Sequence, residues 1–454
     1  MTKDLTKGSP MKLIISFAVP LLFGFLFQQF YNLVDTMIVG RFLGVDDLAA
    51  VGSTGSINFL VIGFCMGVCN GFAIPVSHKF GAGDYVGMRK YVANCAWLGL
   101  VFSVVMTVVT AILCRNILVW MKTPANIIDG AYDYIFIIFI GIPTVYLYNI
   151  VAGVIRATGD SKTPVVFLVL SSIINIVLDL YFIISLHMGV AGVALATVIS
   201  QCISAGLVLL CLMHAEGPYR VDLRRLRIRR AKLLQIMRIG LPAGVQGAIF
   251  SISNVLIQSS INSFGSVAMA GNSAASNLEG FIYTSMNAVY QTSLNFTSQN
   301  LGAGKRSRLM PILLRCLGVV FAVGALLGLI FYLLRYPLLG VYTSDPEVVS
   351  FGILRLELIC STYFLCGMME VCCGSLRGLG YSVLPTVVSL TGACGLRVVW
   401  IFTVFAIDRS LWTLYLSYPV SWGLTALAHF ICFLVVLKRQ GGTKDVPPQT
   451  AAAK

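Results

Sequence analysis

The amino-acid sequence predicts an all-α integral membrane protein in which twelve transmembrane helices form two six-helix lobes around a central cavity. Three observations predict this fold class: an apolar composition, twelve apolar stretches of membrane-spanning length, and an internal repeat. Of the 454 residues, 57% are hydrophobic and only 11% are charged, and the mean hydropathy is +0.87. A soluble domain carries roughly a quarter charged residues. The composition therefore excludes a disordered chain and a soluble nucleic-acid-binding protein, although 32 Lys and Arg outnumber 18 acids.

Twelve apolar stretches are about as long as the roughly 20 residues that a helix needs to cross a bilayer. We predict helices because a helix satisfies its own backbone hydrogen bonds in lipid, whereas an open strand does not. In chain order the predicted helices span residues 14–39, 55–78, 92–113, 131–155, 164–186, 190–213, 239–261, 274–298, 310–334, 350–374, 385–407 and 411–437.

The distribution of cations predicts the orientation and the division of the chain. Most of the Lys and Arg residues fall on one side of the predicted helices, and by the positive-inside rule this side faces the cytoplasm. We therefore expect a protein of the plasma membrane with both termini in the cytoplasm. An Arg-rich segment between the halves is interpreted as a linker that sets topology and faces lipid headgroups. The predicted divisions are a cytoplasmic N-terminal segment (1–13), an N-lobe (14–213), the linker (214–238), a C-lobe (239–437) and a cytoplasmic tail (438–454).

The second half of the chain repeats landmarks of the first half. Gly81 and Gly83 return as Gly302 and Gly304, and each pair is separated by 221 residues. Because each half has an even number of predicted helices, the halves run in parallel and are related by a pseudo-two-fold axis along the membrane normal.

A proline lies near the start of each half, at Pro20 and Pro242. A proline removes one helical hydrogen bond, so each is either a hinge or a static kink.

Acidic residues inside the predicted helices are candidates for function, because charge is costly in a bilayer. Asp35 shares one face of the first helix with Gln28 and Asn32. Glu279, Glu357 and Glu370 lie in the second half.

A second acid, Asp179, lies in the fifth predicted helix one turn after Asn175, and the sixth helix offers Thr197. If these faces meet that of Asp35, two carboxyl groups, an amide and a hydroxyl converge in a dry pocket. Two neighbouring carboxylates cannot both ionise cheaply, so one is expected to hold a proton. The same oxygens form a possible Na⁺ site. The alternative is that these groups only hydrogen-bond one helix to another.

The acid pair is not duplicated in the second half, where the candidates are different. Glu370 corresponds to Asn149, and Arg397 either pairs with Glu357 or Glu370 or contacts substrate. A polar stripe on the eighth helix and several tyrosines complete an expected substrate cavity. Its candidate residues are Gln28, Asn32, Tyr134, Asn149, Tyr283, Asn287, Gln291 and Glu370.

Four segments of the first half resemble the multidrug and toxic compound extrusion (MATE) transporters. They are residues 32–44 (NLVDTMIVGRFLG), 79–84 (KFGAGD), 155–160 (IRATGD) and 175–179 (NIVLD). The resemblance implies a V-shaped pair of lobes and secondary antiport of cationic, aromatic compounds. In the DNA-damage-inducible branch it implies a proton or cation site at Asp35, Asn175, Asp179 and Thr197. The sodium-coupled branch carries a carboxylate where this chain has Phe250.

The expected function is therefore multidrug efflux coupled to H⁺ or Na⁺, with no cofactor and no nucleic-acid partner, by a monomer in the lipid bilayer. The sequence does not choose between the two ions. The alternative is a flippase of lipid-linked precursors, which would need a more cationic cavity. An enzyme is not expected, because the four histidines are scattered and form no metal-binding motif.

Overall fold

The computed structural model describes residues 3–214 and 227–448, and these residues form helices and connecting loops without any strand. Residues 215–226 of the predicted Arg-rich linker, the first two residues and the end of the predicted cytoplasmic tail lie outside the described residues.

The first half of the chain contains eight α-helices, and a short π-helical segment, Tyr181–Ser185, continues the seventh. Their bounds are α1 (Pro10–Phe42), α2 (Val45–Ser53), α3 (Gly55–Gly81), α4 (Tyr85–Trp120), α5 (Ile128–Ile140), α6 (Ile142–Ala157), α7 (Lys162–Leu180) and α8 (Gly189–Met213).

The described part of the second half begins with α9 and contains ten α-helices, with a π-helical segment, Leu390–Gly395, between α15 and α16. Their bounds are α9 (Arg230–Asn262), α10 (Ser266–Gly302), α11 (Leu309–Leu333), α12 (Arg335–Gly340), α13 (Pro346–Thr362), α14 (Phe364–Gly378), α15 (Val383–Ser389), α16 (Leu396–Phe402), α17 (Val404–Ile407) and α18 (Leu411–Arg439).

These helices confirm the predicted fold class. Within the described ranges, nine helical spans are long and apolar enough to cross a membrane, and the bent pairs α5–α6 and α13–α14 raise the number to eleven. The remaining predicted span corresponds to α10, which is 37 residues long. Its second half is buried and rich in polar side chains, since it packs among helices of both lobes instead of facing lipid.

The internal repeat extends to the backbone conformation. Glycines at corresponding positions adopt nearly the same positive φ, a region that residues with a side chain rarely enter. The φ values are 100° and 97° for Gly44 and Gly265, 72° and 73° for Gly83 and Gly304, and 87° and 89° for Gly159 and Gly380. The two bent pairs also correspond, with bends of 42° for α5–α6 and 45° for α13–α14.

The two lobes meet along two helix pairs that the repeat relates to each other. α1 packs along α10, and α9 packs along α3. In the second pair the backbones touch: a Cβ on Gly67 would meet the backbone of Ala243, and one on Gly244 would meet the carbonyl oxygen of Phe64 at 3.0 Å. Small residues permit such close crossings in membranes. Both α1 and α9 run unbroken through their prolines, Pro20 and Pro242.

The lobes also touch at the end of the molecule where Lys3, Lys79 and Lys305 lie, which we call the basic end. Here the end of α3 meets the end of α10 at Gly81 and Gly302. The Gln299 amide donates to the carbonyl oxygen of Ala157 at 2.7 Å, which links α10 to α6. Leu5 is fully buried, and its amide donates to Gln299 Oε1 at 3.2 Å. These contacts close the basic end.

Two arginines differ from their sequence interpretation. Arg156 and Arg377 fall in the last turns of α6 and α14, toward the side that we assigned to cytoplasmic cations, yet both are buried. They belong to the interior and not to a headgroup-facing loop.

Candidate functional site

The first candidate site is a pocket in the N-lobe where α1 meets α7. Gly24 allows this approach, since a Cβ there would lie 2.7 Å from Val165 Cγ1. Asp35 on α1 is half-buried, Asp179 on α7 is fully buried, and their carboxyl groups lie in contact with each other. Two carboxyl groups this close repel each other when both are ionised, and a proton or a cation on the pair would relieve that repulsion.

Asn175 and Thr197 complete this pocket. Asn175 lies one turn before Asp179, and with its amide oriented so that both ends are satisfied, its nitrogen donates to Asp179 Oδ2 at 3.0 Å. Its oxygen then accepts from the backbone nitrogen of Thr197 at 3.1 Å. The structure therefore brings together the four residues that the sequence grouped from three helices.

Two tyrosines border the carboxyl pair. Tyr134 is buried beside both aspartates, and Tyr31 lies close to Thr197. Tyr31 was missed in the sequence, although it lies one turn before Asp35 on the same helical face.

The oxygens of the pocket decide which ion it could hold. Oδ1 of Asp35 and Oδ1 of Asp179 are buried and have no hydrogen-bond partner among the described residues. A proton fits this pair directly. The described residues contain no group of three or more His, Cys, Asp or Glu side chains placed to hold a metal ion, so Na⁺ would also need the neutral oxygens of Asn175 and Thr197.

The second candidate site is a cavity of about 550 Å³ that both lobes line. Its walls come from α3, α9, α10, α13, α14, α16 and α18. Of the substrate-cavity candidates, Tyr283, Asn287 and Glu370 line it. Gln291 is buried within α10.

The remaining cavity candidates lie in the first half, and the lining of this cavity does not include them. Gln28 is half-buried and Asn32 is exposed on α1. Asn149 donates its side-chain amide to the Val145 carbonyl oxygen at 2.8 Å, within its own helix. Tyr134 lies beside the carboxyl pair instead.

A closed ion pair occupies one wall of the cavity. The guanidinium of Arg355 donates to both carboxylate oxygens of Glu279, each at 2.8 Å, and to Asn272 Oδ1 at 2.6 Å. Both partners are almost completely buried. The sequence analysis named Glu279 as a candidate acid but did not find Arg355 as its partner.

Two further arginines line the cavity without a carboxylate in salt-bridge contact among the described residues. Arg377 donates to Tyr290 Oη at 2.8 Å and to Gln246 Oε1 at 2.7 Å. Arg397 donates through Nε to Ser421 Oγ at 3.0 Å. The pairing of Arg397 with Glu357 or Glu370 that the sequence left open is not formed.

The other glutamate that the sequence offered to Arg397 is used elsewhere. Glu357 pairs with Arg335 at 3.1 Å. Glu370 is thus the acid that shares the cavity lining with Arg377, on the same helix, and with Arg397.

An aromatic wall adjoins Arg397. Its guanidinium carbon lies 4.3 Å from the ring centre of Tyr418 and 5.5 Å from that of Trp422. Trp422 also packs against Tyr363, with ring centres 5.1 Å apart. The sequence analysis missed Tyr418 and Trp422. Their i, i+4 spacing on the last helix, which places both on one helical face, could have indicated an aromatic wall.

Comparison with known proteins gives the same family for both halves. The MatE family model matches residues 20–181 and again residues 242–403. The chain is 27% identical to the probable multidrug resistance protein YoeA of Bacillus subtilis, over 98% of each chain. It is 23% identical to an FAD transporter of Shewanella oneidensis, over 75% of this chain and 76% of the relative. In fold it is similar to a MOP superfamily transporter from Pyrococcus furiosus, with a TM-score of 0.91, 21% identity, and coverage of 98% and 100% of the two chains.

Proposed function

Because the chain belongs to the MATE family of multidrug efflux transporters, we propose that it is a secondary active antiporter. It exports cationic or amphipathic, often aromatic, small molecules in exchange for H⁺ or Na⁺. The observation that carries this proposal is the contact between the carboxyl groups of Asp35 and Asp179, which lies outside the lining of the central cavity. An ion can therefore bind without occupying the space of the substrate.

The proposed coupling depends on the number of protons or Na⁺ ions in the pair. With one proton shared, α1 is held to α7 by the carboxyl–carboxyl hydrogen bond. A second proton or a Na⁺ ion neutralises the remaining charge and changes the hydrogen bonds of Asp35, and α1 then adjusts its position. An ion couples transport only if it binds the two conformations with different affinity.

The proposed setting is the plasma membrane, with the basic end in the cytoplasm and both termini inside. The substrate cavity then opens toward the outside in this conformation. The basic end is closed, and the cavity residues of α3 and α10 lie nearer the opposite end of these helices. Both lobes are on one chain, so we propose a monomer.

The coupling role is tested by transport into or out of vesicles that contain the purified protein. A proton gradient and a sodium gradient are imposed separately, and efflux of a fluorescent organic cation is followed. We expect Asp35→Asn and Asp179→Asn to abolish gradient-driven transport. Asp133→Asn, which changes an exposed aspartate of α5, is the matched control and should transport like the wild type. Wild-type rates for Asp35→Asn under both gradients would refute the role of the pair.

A flippase of lipid-linked precursors is the second candidate, and the arginines of the cavity favour it. The cavity volume argues the other way, because about 550 Å³ falls within the range of about 300–1,000 Å³ that suits a drug-sized ligand. The FAD transporter among the relatives supports amphipathic, phosphate-bearing small molecules as substrates in place of lipids. Vesicles with a fluorescent lipid-linked sugar would decide, since only a flippase moves it between leaflets.

A further inference from the structure

The ionisable residues of the central cavity leave positive charge without a partner. Five Glu or Arg side chains line it, and the ion pair between Arg355 and Glu279 removes two of them from the charge balance. Two arginines, Arg377 and Arg397, and one carboxylate, that of Glu370, then remain in the lining. Charge that is buried inside a membrane protein without compensation is costly, so a cavity of this kind favours a ligand that supplies the missing negative charge.

Arg397 is the residue best placed to receive that charge. It is only 3% exposed, and it lines the cavity. Its Nε is engaged by Ser421, whereas its two terminal nitrogens have no hydrogen-bond partner among the described residues. A guanidinium offers these nitrogens as a fork that matches the two oxygens of a carboxylate or a phosphate.

The aromatic side chains around Arg397 favour a ligand that also carries an aromatic ring. Tyr418 and Trp422 lie against the guanidinium, and Tyr363 extends the same wall. Aromatic side chains stack with flat rings in offset or edge-to-face arrangements. A ligand with an anionic group on an aromatic ring can therefore bind Arg397 and this wall at the same time.

We propose that Arg397 forms an anion subsite of the transport cavity, and that the substrates include aromatic molecules bearing a carboxylate or a phosphate group. The inference rests on the proposed transport function and adds aromatic anions to its substrate class. Arg377 contributes positive charge from a distance, since its own hydrogen bonds go to Tyr290 and Gln246. Glu370 remains available for a cationic group on the same molecule.

The test is binding to the purified full-length protein in detergent, measured by isothermal titration calorimetry. The probes share one ring system: 2-naphthoate, 2-naphthyl phosphate, the neutral 2-naphthamide and the cationic 2-naphthylmethylammonium. We expect the wild type to bind at least one anion about tenfold or more tightly than the amide, since hydrogen bonds to charged groups contribute roughly that much. The two anionic probes distinguish a carboxylate from a phosphate ligand.

The variants separate the subsite from general effects on the cavity. Arg397→Gln should weaken binding of the preferred anion about tenfold to a hundredfold while leaving the amide unchanged. Arg397→Lys keeps the charge but cannot make two parallel hydrogen bonds to the anion. Its affinity for the anion should lie between those of the wild type and Arg397→Gln. Arg335→Gln changes an arginine of α12 that pairs with Glu357 outside the cavity, and it should bind like the wild type.

Binding of both anions by the wild type that is no tighter than binding of the amide would overturn the proposal, and this result does not depend on the folding of a variant. An anion preference that survives in Arg397→Gln would overturn the assignment to Arg397. No ion gradient is present in this measurement. A failure of coupled transport in vesicles therefore leaves the binding result in place, and a failure here leaves antiport of cations in place.

Discussion

Replacing Gly302 by alanine should loosen the contact between the lobes at the basic end. Gly302 is the last residue of α10, and a Cβ at this position would overlap the carbonyl oxygen of His78 on α3. The obstacle is backbone and not a flexible side chain, so one of the two helix ends has to move away. Gly81 meets the carbonyl oxygen of Gln299 in the same manner, so the crossing has no free space on either side.

The size of the effect follows from the cost of overpacking. Inserting a methyl group into a closely packed site costs about 1–3 kcal/mol. This cost falls on the conformation that is closed at the basic end, because the contact exists only there. Since about 1.4 kcal/mol changes an equilibrium tenfold, the ratio of closed to open molecules should fall roughly 5- to 150-fold.

Hydrogen–deuterium exchange read by mass spectrometry measures this opening without added labels. Peptides that cover residues 3–9, 78–84 and 299–305 should exchange faster in Gly302→Ala than in the wild type, because they lose their protection when the lobes separate. Gly318→Ala is the control, since a Cβ on Gly318 meets nothing within 4 Å. If exchange at the basic end is the same in both variants, the close crossing does not hold the lobes together and the reasoning is refuted.

Two further predictions concern stability. Glu279→Gln removes the counter-charge of the buried Arg355, so we expect a loss of about 3–5 kcal/mol and a lower melting temperature in detergent; an unchanged melting temperature would contradict the ion pair. Asp84 caps α4 by accepting from the Gly87 amide at 2.8 Å, so Asp84→Ala should cost about 0.5–2 kcal/mol. Although partial burial favours the neutral acid, hydrogen bonds from Lys79 and Gly87 hold the pKa of Asp84 below its usual 3.8. The stabilisation is therefore present above this value and is lost as the pH falls through the lower folded-state pKa, where wild type and Asp84→Ala should melt alike.

The global architecture could be predicted because it depends on properties that a single sequence shows. Apolar length predicted the spans, and the constant separation between Gly44 and Gly265, or Gly83 and Gly304, predicted the repeat that the matching φ values confirm. The grouping of Asp35 with Asp179 rested on two arguments. Few acids lie inside the predicted helices, because charge is costly in a bilayer, and the resemblance to MATE transporters implied a site at both residues.

The interior of the C-lobe could not be predicted, because it depends on which helix faces touch. Arg377 follows an apolar run and reads as a loop cation, but the bent pair α13–α14 turns its helix end inward against Gln246 and Tyr290. Glu279 and Arg355 are 76 residues apart, and nothing in the spacing shows that α10 and α13 place them opposite each other. A count of charges on each side of the membrane treats such arginines as headgroup contacts, and this led us to expect too few cations in the cavity.

The two candidate sites are joined by one helix. α1 carries Asp35 to the carboxyl pair in the N-lobe, yet its earlier turns pack along α10 of the C-lobe. At Gln29 the approach is close, because a Cβ on Gly280 would lie 2.6 Å from the Gln29 amide nitrogen. Gly280 follows Glu279, whose carboxylate holds Arg355 at the cavity wall. Under the proposed mechanism, a change in the ions bound by the carboxyl pair that shifts α1 also displaces its contact with α10, beside the charged wall of the cavity. Ion binding in one lobe and substrate binding between the lobes therefore act on the same helix, and this shared contact gives a structural basis for coupling without a shared binding site.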